Sequence, residues 1–154
     1  FILDWNGLKF CYSSDTAPNK WWIEHTKGAD ISVHECFADP QILLDKQNYR
    51  PDFALSLSVF KHTSPQQFGK VMAMTKPRLA VGFHFYNDHD TLPTMLEEVR
   101  ATYDGPLAMA TDYMVFNFTP DDIRVRMAAI DQEIWLTNTH EAQAGRPLDG
   151  RHVQ

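Results

Sequence analysis

The chain's 154 residues, 44% hydrophobic and 12% aromatic, can bury one core and fit the usual size of a single domain. Twenty acidic residues against 14 basic ones give a formal charge of −6, which excludes a broad basic face and, with it, avid non-specific nucleic-acid binding. Nothing in the sequence approaches the run of about 18 apolar residues that a membrane-spanning helix requires.

"FILDWNGLKFCYS" reads as two strands around Asn6-Gly7, the strongest short hairpin signal. It has neither an initiator Met nor a basic leader and reads like a sequence entered in its middle, so the compartment stays open, with a cytoplasmic one favoured. "PNKWWIEHTKGA" suggests a short helix from near Pro18 to Gly28, with Pro at its start and Gly at its finish. "ADISVHECF" is the next strand. Cys11 and Cys36 lie inside apolar runs and read as small buried hydrophobes rather than as a disulfide or a ligand pair.

A second cycle comes next. In "HTSPQQFGKVMAMTKP" Ser64 caps, Pro65 takes the first helical position and Gln67 completes a capping box, predicting a helix from Pro65 to about Thr75. Leu79 to Phe83 is an almost uninterrupted apolar strand, the pattern of a strand covered on both faces. "TLPTMLEEVRATYDG" places Leu92, Met95, Leu96, Val99 and Tyr103 at helical spacing as core contacts, closed by Gly105. "PLAMATDYMVFNF" is a further strand region, and "TPDDIRVRMAAI" fits either a helix start or the alternating strand Ile123 to Met127. Apolar periodicity is then lost toward the C-terminus, where residues 131–154 read as an extended tail.

Polar residues recur at one place in each cycle. Asp15 follows the strand from Leu8 to Ser13, His34-Glu35 follow Ile31 to Val33, and His84 follows Leu79 to Phe83. In open α/β sheets ligands and catalytic groups collect beyond the carboxyl ends of the strands, so the three endings suggest one shared site. Asp15 alone also fits a turn residue capping the next segment. A carboxylate can bridge two cations and neutral imidazole is the commonest nitrogen ligand of zinc, so Asp15 and His84 form a partial metal site, one ligand short of the usual three.

"SSDTAPN", "GADISVHECF", "HTSPQQFGKVMAM" and "PRLAVGFHFYNDHDT", in that order, resemble the second half of a metallo-β-lactamase-superfamily hydrolase, over about residues 1–130. The likeness is to the ribonuclease Z-like branch. It is closer still to ribonuclease Z-like enzymes that also hydrolyse β-lactams (subclass B3-like), through "WNG", "DTAPN", "KGAD", "HEC", "HTS", "YNDHDT" and "YDGPLAMATDYMVFN". The resemblance implies the C-terminal half of an αββα sandwich, a mixed sheet with helices packed on it. It further implies two Zn2+ ions per complete site, Asp15 bridging them and His84 binding the second. His62 corresponds to the histidine that protonates the leaving group and Glu35 to the glutamate that orients it, a sensible acid pair beside a metal-bound hydroxide. Ser14 stands where the family has Gly.

The family's H-x-H-x-D-H loop, which supplies most ligands of both metals, occurs nowhere in the chain. His25, His89, His140 and His152 do not replace it, since a helix, a loop and the tail hold them. The expectation is therefore an incomplete site whose other half lies in the missing N-terminal part of the same enzyme or in a separate chain. The substrate is a small molecule such as a β-lactam, or an RNA 3′ end, and a homo-oligomer is expected. The rival reading is a non-catalytic half-domain that binds a partner supplying the H-x-H-x-D-H half, with Trp21, Trp22 and Phe85 forming exposed apolar surface. The two tryptophans fit a plain core role equally well.

Overall fold

Asn6 and Gly7 both take left-handed φ, 50° and 77°, the geometry of the tight turns whose twist matches that of the strands they join. The hairpin they close opens a computed structural model that describes residues 1–129. Strands β1 (Ile2–Trp5) and β2 (Leu8–Tyr12) pair antiparallel. Beyond β2 every neighbour is parallel. The order is β1-β2-β3-β4-β5, with β3 at Ile31–Glu35, β4 at Leu79–Phe83 and β5 at Leu107–Met109. A mixed sheet with packed helices is therefore observed.

The connections carry the helices. Helix α1 (Lys20–His25) is shorter than Pro18 to Gly28 because Asn19, not Pro18, sets its start: the Asn19 side chain accepts the Trp22 N–H at 2.8 Å. Between β3 and β4 lie α2 (Pro40–Gln47), α3 (Pro51–Leu55), a π-helical turn at Ser56–Lys61 and α4 (Pro65–Thr75). The first three occupy a stretch where the sequence pattern predicts no element, although Asp39-Pro40 is a cap followed by a first-position proline. Helix α4 begins and ends as predicted, with both halves of the Ser64–Gln67 capping box formed. Helix α5 (Leu92–Arg100) joins β4 to β5 and buries Met95 and Val99; Tyr103 is buried just beyond it.

Two apolar layers enclose the sheet. On one face Cys11, Cys36 and Ala80 meet Trp22, Phe68, Val71, Met72, Met95 and Val99 from the helices. On the other, Ile31, Leu79 and Val81 meet Phe116, Phe118 and Ile123 from a second, two-stranded sheet, β6 (Met114–Phe118) with β7 (Ile123–Met127). The stretch from Pro106 to Phe118 thus supplies strands to two sheets rather than one, and the alternation Ile123 to Met127 is a strand, not a helix start. Asp30 staples the layers. Its carboxylate accepts the Lys9 N–H at 2.7 Å and an Arg78 N–H at 2.7 Å, while the same guanidinium nitrogen donates to the Thr119 carbonyl beside the second sheet. Both cysteines are buried and free, with burial pushing the Cys11 thiol up to about 11 and the Cys36 thiol higher. The tail at 131–154, with His140 and His152, lies outside the described residues.

Helix α4 approaches the C-terminal end of α5 closely at Gly69, where an added Cβ would lie 2.1 Å from Thr102 Oγ1, just beyond α5, and 2.7 Å from the Val99 carbonyl oxygen. Helix propensity alone predicts that Gly69→Ala stabilises by about 1 kcal/mol. The packing predicts the opposite sign, a loss of about 1–3 kcal/mol in urea denaturation, because a backbone oxygen cannot move aside without separating the helices.

Candidate metal centre

The parallel run β2-β3-β4 places three strand exits side by side. After β2, Ser14 takes φ 56° and the chain presents Asp15, with more than half its side chain exposed. After β4, His84 itself takes φ 63°. A left-handed non-glycine residue costs about 1–3 kcal/mol, and such strain gathers where function holds it in place. Here the exits of β2 and β4, on either side of β3, bring His84 Nδ1 to 3.2 Å from Asp15 Oδ1. The capping role open to Asp15 falls to Asn19 instead.

His62 arrives from the long connection. The π-helical turn ends with the His62 N–H donating to the Leu57 carbonyl at 3.0 Å, the five-residue reach that defines such turns and that often marks a functional position. Buried Ser58 anchors the turn by donating from Oγ to the Ala38 carbonyl at 2.6 Å. Thr63 then ties three segments together: its carbonyl accepts the Phe37 N–H at 2.7 Å, and its hydroxyl donates to the Thr16 carbonyl at 2.7 Å.

Glu35 stands behind the whole group with no exposed surface. One carboxylate oxygen accepts the Thr16 N–H. The other lies 2.7 Å from His62 Nδ1 and 3.4 Å from His84 Nδ1. Burial pushes the Glu35 carboxyl above its ordinary range, against the pull of His62, the Thr16 N–H and His84. Phe37 covers the imidazoles, stacking on His62 at 4.2 Å between ring centres and lying 5.1 Å from His84.

Asp15, His62 and His84 each offer one ligand atom, and these atoms lie within 4.8 Å of one another. One carboxylate oxygen and two imidazole nitrogens suit zinc, whose bonds to such atoms are about 2.0–2.2 Å long. The four residues singled out in the sequence therefore come together, with His62 closer to the donor set than a proton donor alone requires. His34 does not join them. As the neighbour of Glu35 it points to the opposite face of β3, fully buried against Trp22 and Phe68, with Nδ1 at 2.8 Å from the Glu35 carbonyl. His25 is in α1 and His89 in the loop before α5. Thr16, Phe37, Ser58 and Thr63 were assigned no role from sequence; three of them adjoin assigned residues in "DTA", "HECF" and "HTS", the only signal they carry.

No family model matches the chain, and no curated protein matches it. Among solved structures it is similar to YhfI, a metallo-beta-lactamase fold protein from Bacillus subtilis, at 15% sequence identity and a TM-score of 0.49. The match covers 67% of this chain and 37% of that one, so the chain spans well under two thirds of the protein it matches.

Burial holds His34 neutral and lowers its pKa to about 4, the bond to the Glu35 carbonyl pulling the other way. Because this folded value lies below the ordinary 6.5, the contribution is fully present above pH 6.5 and is lost as pH falls toward 4. It amounts to roughly 3 kcal/mol. Denaturation across that window should therefore show a steeper loss of stability in the native chain than in His34→Asn, which keeps a donor for the carbonyl but does not titrate. Equal slopes would refute the buried neutral state.

Proposed function

We propose that the chain is the C-terminal half of a zinc-dependent hydrolase of the metallo-β-lactamase kind, with Asp15 and His84 as metal ligands and His62-Glu35 as the proton-transfer pair. The supporting observation is the convergence of Asp15, His62 and His84 within 4.8 Å at the carboxyl ends of parallel strands. Zinc bound there supplies Lewis acidity and brings the pKa of a water toward neutrality. The chain's own residues handle the proton. With Nδ1 committed to the Glu35 carboxylate at 2.7 Å, the free ring atom of His62 is Nε2, which donates to the departing nitrogen or oxygen. Glu35, buried behind His62, holds that ring in place through the contact to Nδ1. The ribonuclease Z-like motifs and the His62-Glu35 pair favour a phosphodiester, whereas the acidic balance of the chain favours a small substrate such as a β-lactam.

Calorimetric zinc titration tests the assignment. The chain alone should bind zinc weakly, and Asp15→Asn should lower that affinity roughly 100-fold. His62→Ala should retain zinc, and in the enzyme completed by its other half it should cut hydrolysis about 100- to 10,000-fold. Tight binding of two zinc ions by the chain alone would overturn the half-site reading. Loss of zinc in His62→Ala would make His62 a ligand rather than the acid.

A second reading, a half-domain docked on a partner, is favoured by β1. It is an edge strand whose four residues are all exposed, and it sets Ile2, Leu3 and Trp5 beside Phe1. An unpaired apolar edge is a template for another strand. Trp21 adds exposed aromatic surface, while Trp22 is core and Phe85 half-buried. By sedimentation the exposed edge should make the chain self-associate, and Leu3→Lys with Trp5→Lys should return it to monomer; a chain monomeric at all concentrations would show that β1 does not template another strand.

A further inference from the structure

We infer that the cavity beside His84 receives an uncharged planar ring of the substrate, so that ring recognition rather than phosphate recognition is the specificity this chain itself contributes. The inference deepens the hydrolase reading and rests on it for the word substrate. The cavity has a volume of about 780 Å³, within the range of small-molecule sites, and Phe37, Phe83, Phe85 and Tyr86 supply its aromatic wall. That wall runs directly into the metal centre. Phe37 stacks on His62 and packs on His84, and the Phe83 ring lies 6.3 Å from the His84 ring at 24°. A ring lodged against these faces places its adjoining bond next to the three candidate donors.

Charge then selects among ligands. Among the described residues no lysine or arginine lines the cavity, while exposed Asp112 does. Lys46, a cation in the last turn of α2, is already paired with Asp88 and Asp90 at 3.0 and 2.9 Å. Along the cavity wall a phosphate finds the Asp112 carboxylate and, among the described residues, no lysine or arginine, whereas a neutral ring finds aromatic faces that prefer offset or edge contacts. Asn87 and Thr111, also in the lining, leave an amide or a ring nitrogen something to hydrogen-bond. An aryl side chain and a nucleobase share this chemistry.

The two sources separate in a titration of the isotope-labelled full chain, followed by amide NMR shifts, first without metal and then with zinc. Phenylacetamide represents the aryl source, adenosine the nucleobase, and phenyl phosphate the anionic ring. At least one neutral probe should shift the Phe85, Asn87 and Thr111 amides without zinc, more tightly than phenyl phosphate, and the better of the two names the source. Phe85→Ala should weaken it about tenfold. Because Phe85 also packs on the core, exposed Asp112→Lys serves as the second variant and should move the preference toward phenyl phosphate. Binding of neither neutral probe, or phenyl phosphate binding best to the native chain, overturns the inference. Its fate is separable from that of the metal site: ring shifts without zinc binding sink only the hydrolase reading, and zinc binding without ring shifts sinks only this one.

Discussion

The buried Glu35 carboxylate is the contact on which the site depends. It has no exposed surface, yet it touches the Asp15-Thr16 loop, His62 and His84, groups delivered by three different connections. A buried carboxyl is tolerable only when its oxygens are satisfied, and Glu35 meets that demand by drawing two imidazoles and a backbone N–H toward itself. The same demand orders the chain around it. Ser13, Thr16 and Thr63 form a mesh of hydrogen bonds that ties the segment carrying Asp15 to β3 and to the segment carrying His62.

The sheet makes that convergence possible. Three parallel strands in register end at one edge, so groups far apart in sequence emerge within one side chain's reach of each other. Strain is then placed where it is useful: the left-handed Ser14 and His84 sit at the exits of β2 and β4, and the wide π-helical turn ends on His62. The remaining face of β3 is ordinary core, and His34, one residue before Glu35, is buried in it as a neutral ring. Adjacent residues of one strand thus serve opposite purposes because a strand alternates its faces.

Much of the frame was legible because its signals are local. Asn6-Gly7 names its turn, Ser64-Pro65 with Gln67 names a helix start, and the apolar run from Leu79 to Phe83 names a strand covered on both sides. The connection from Ala38 to Lys61 was not legible: two short helices and a π-helical turn leave too few turns for a periodicity to declare itself. Nor could alternation alone show that β5 and β6, four residues apart, belong to different sheets.

For the site the division has the same physical origin. Residue type and strand-end position were enough to single out Asp15, His34-Glu35 and His84, because carboxylates and imidazoles after apolar strands are locally conspicuous; His62, which follows no strand, stood out only through the resemblance of its motif. Which of two neighbours faces the site, Glu35 rather than His34, is named in the sequence only by the resemblance; its physical reason is the pleat and the layer packed on each face. Likewise the entry of His62 into the donor cluster and the stacking of Phe37 upon it are contacts across a long connection. No local pattern encodes those distances; they exist only once the sheet has aligned its strand ends and the core has fixed the connections.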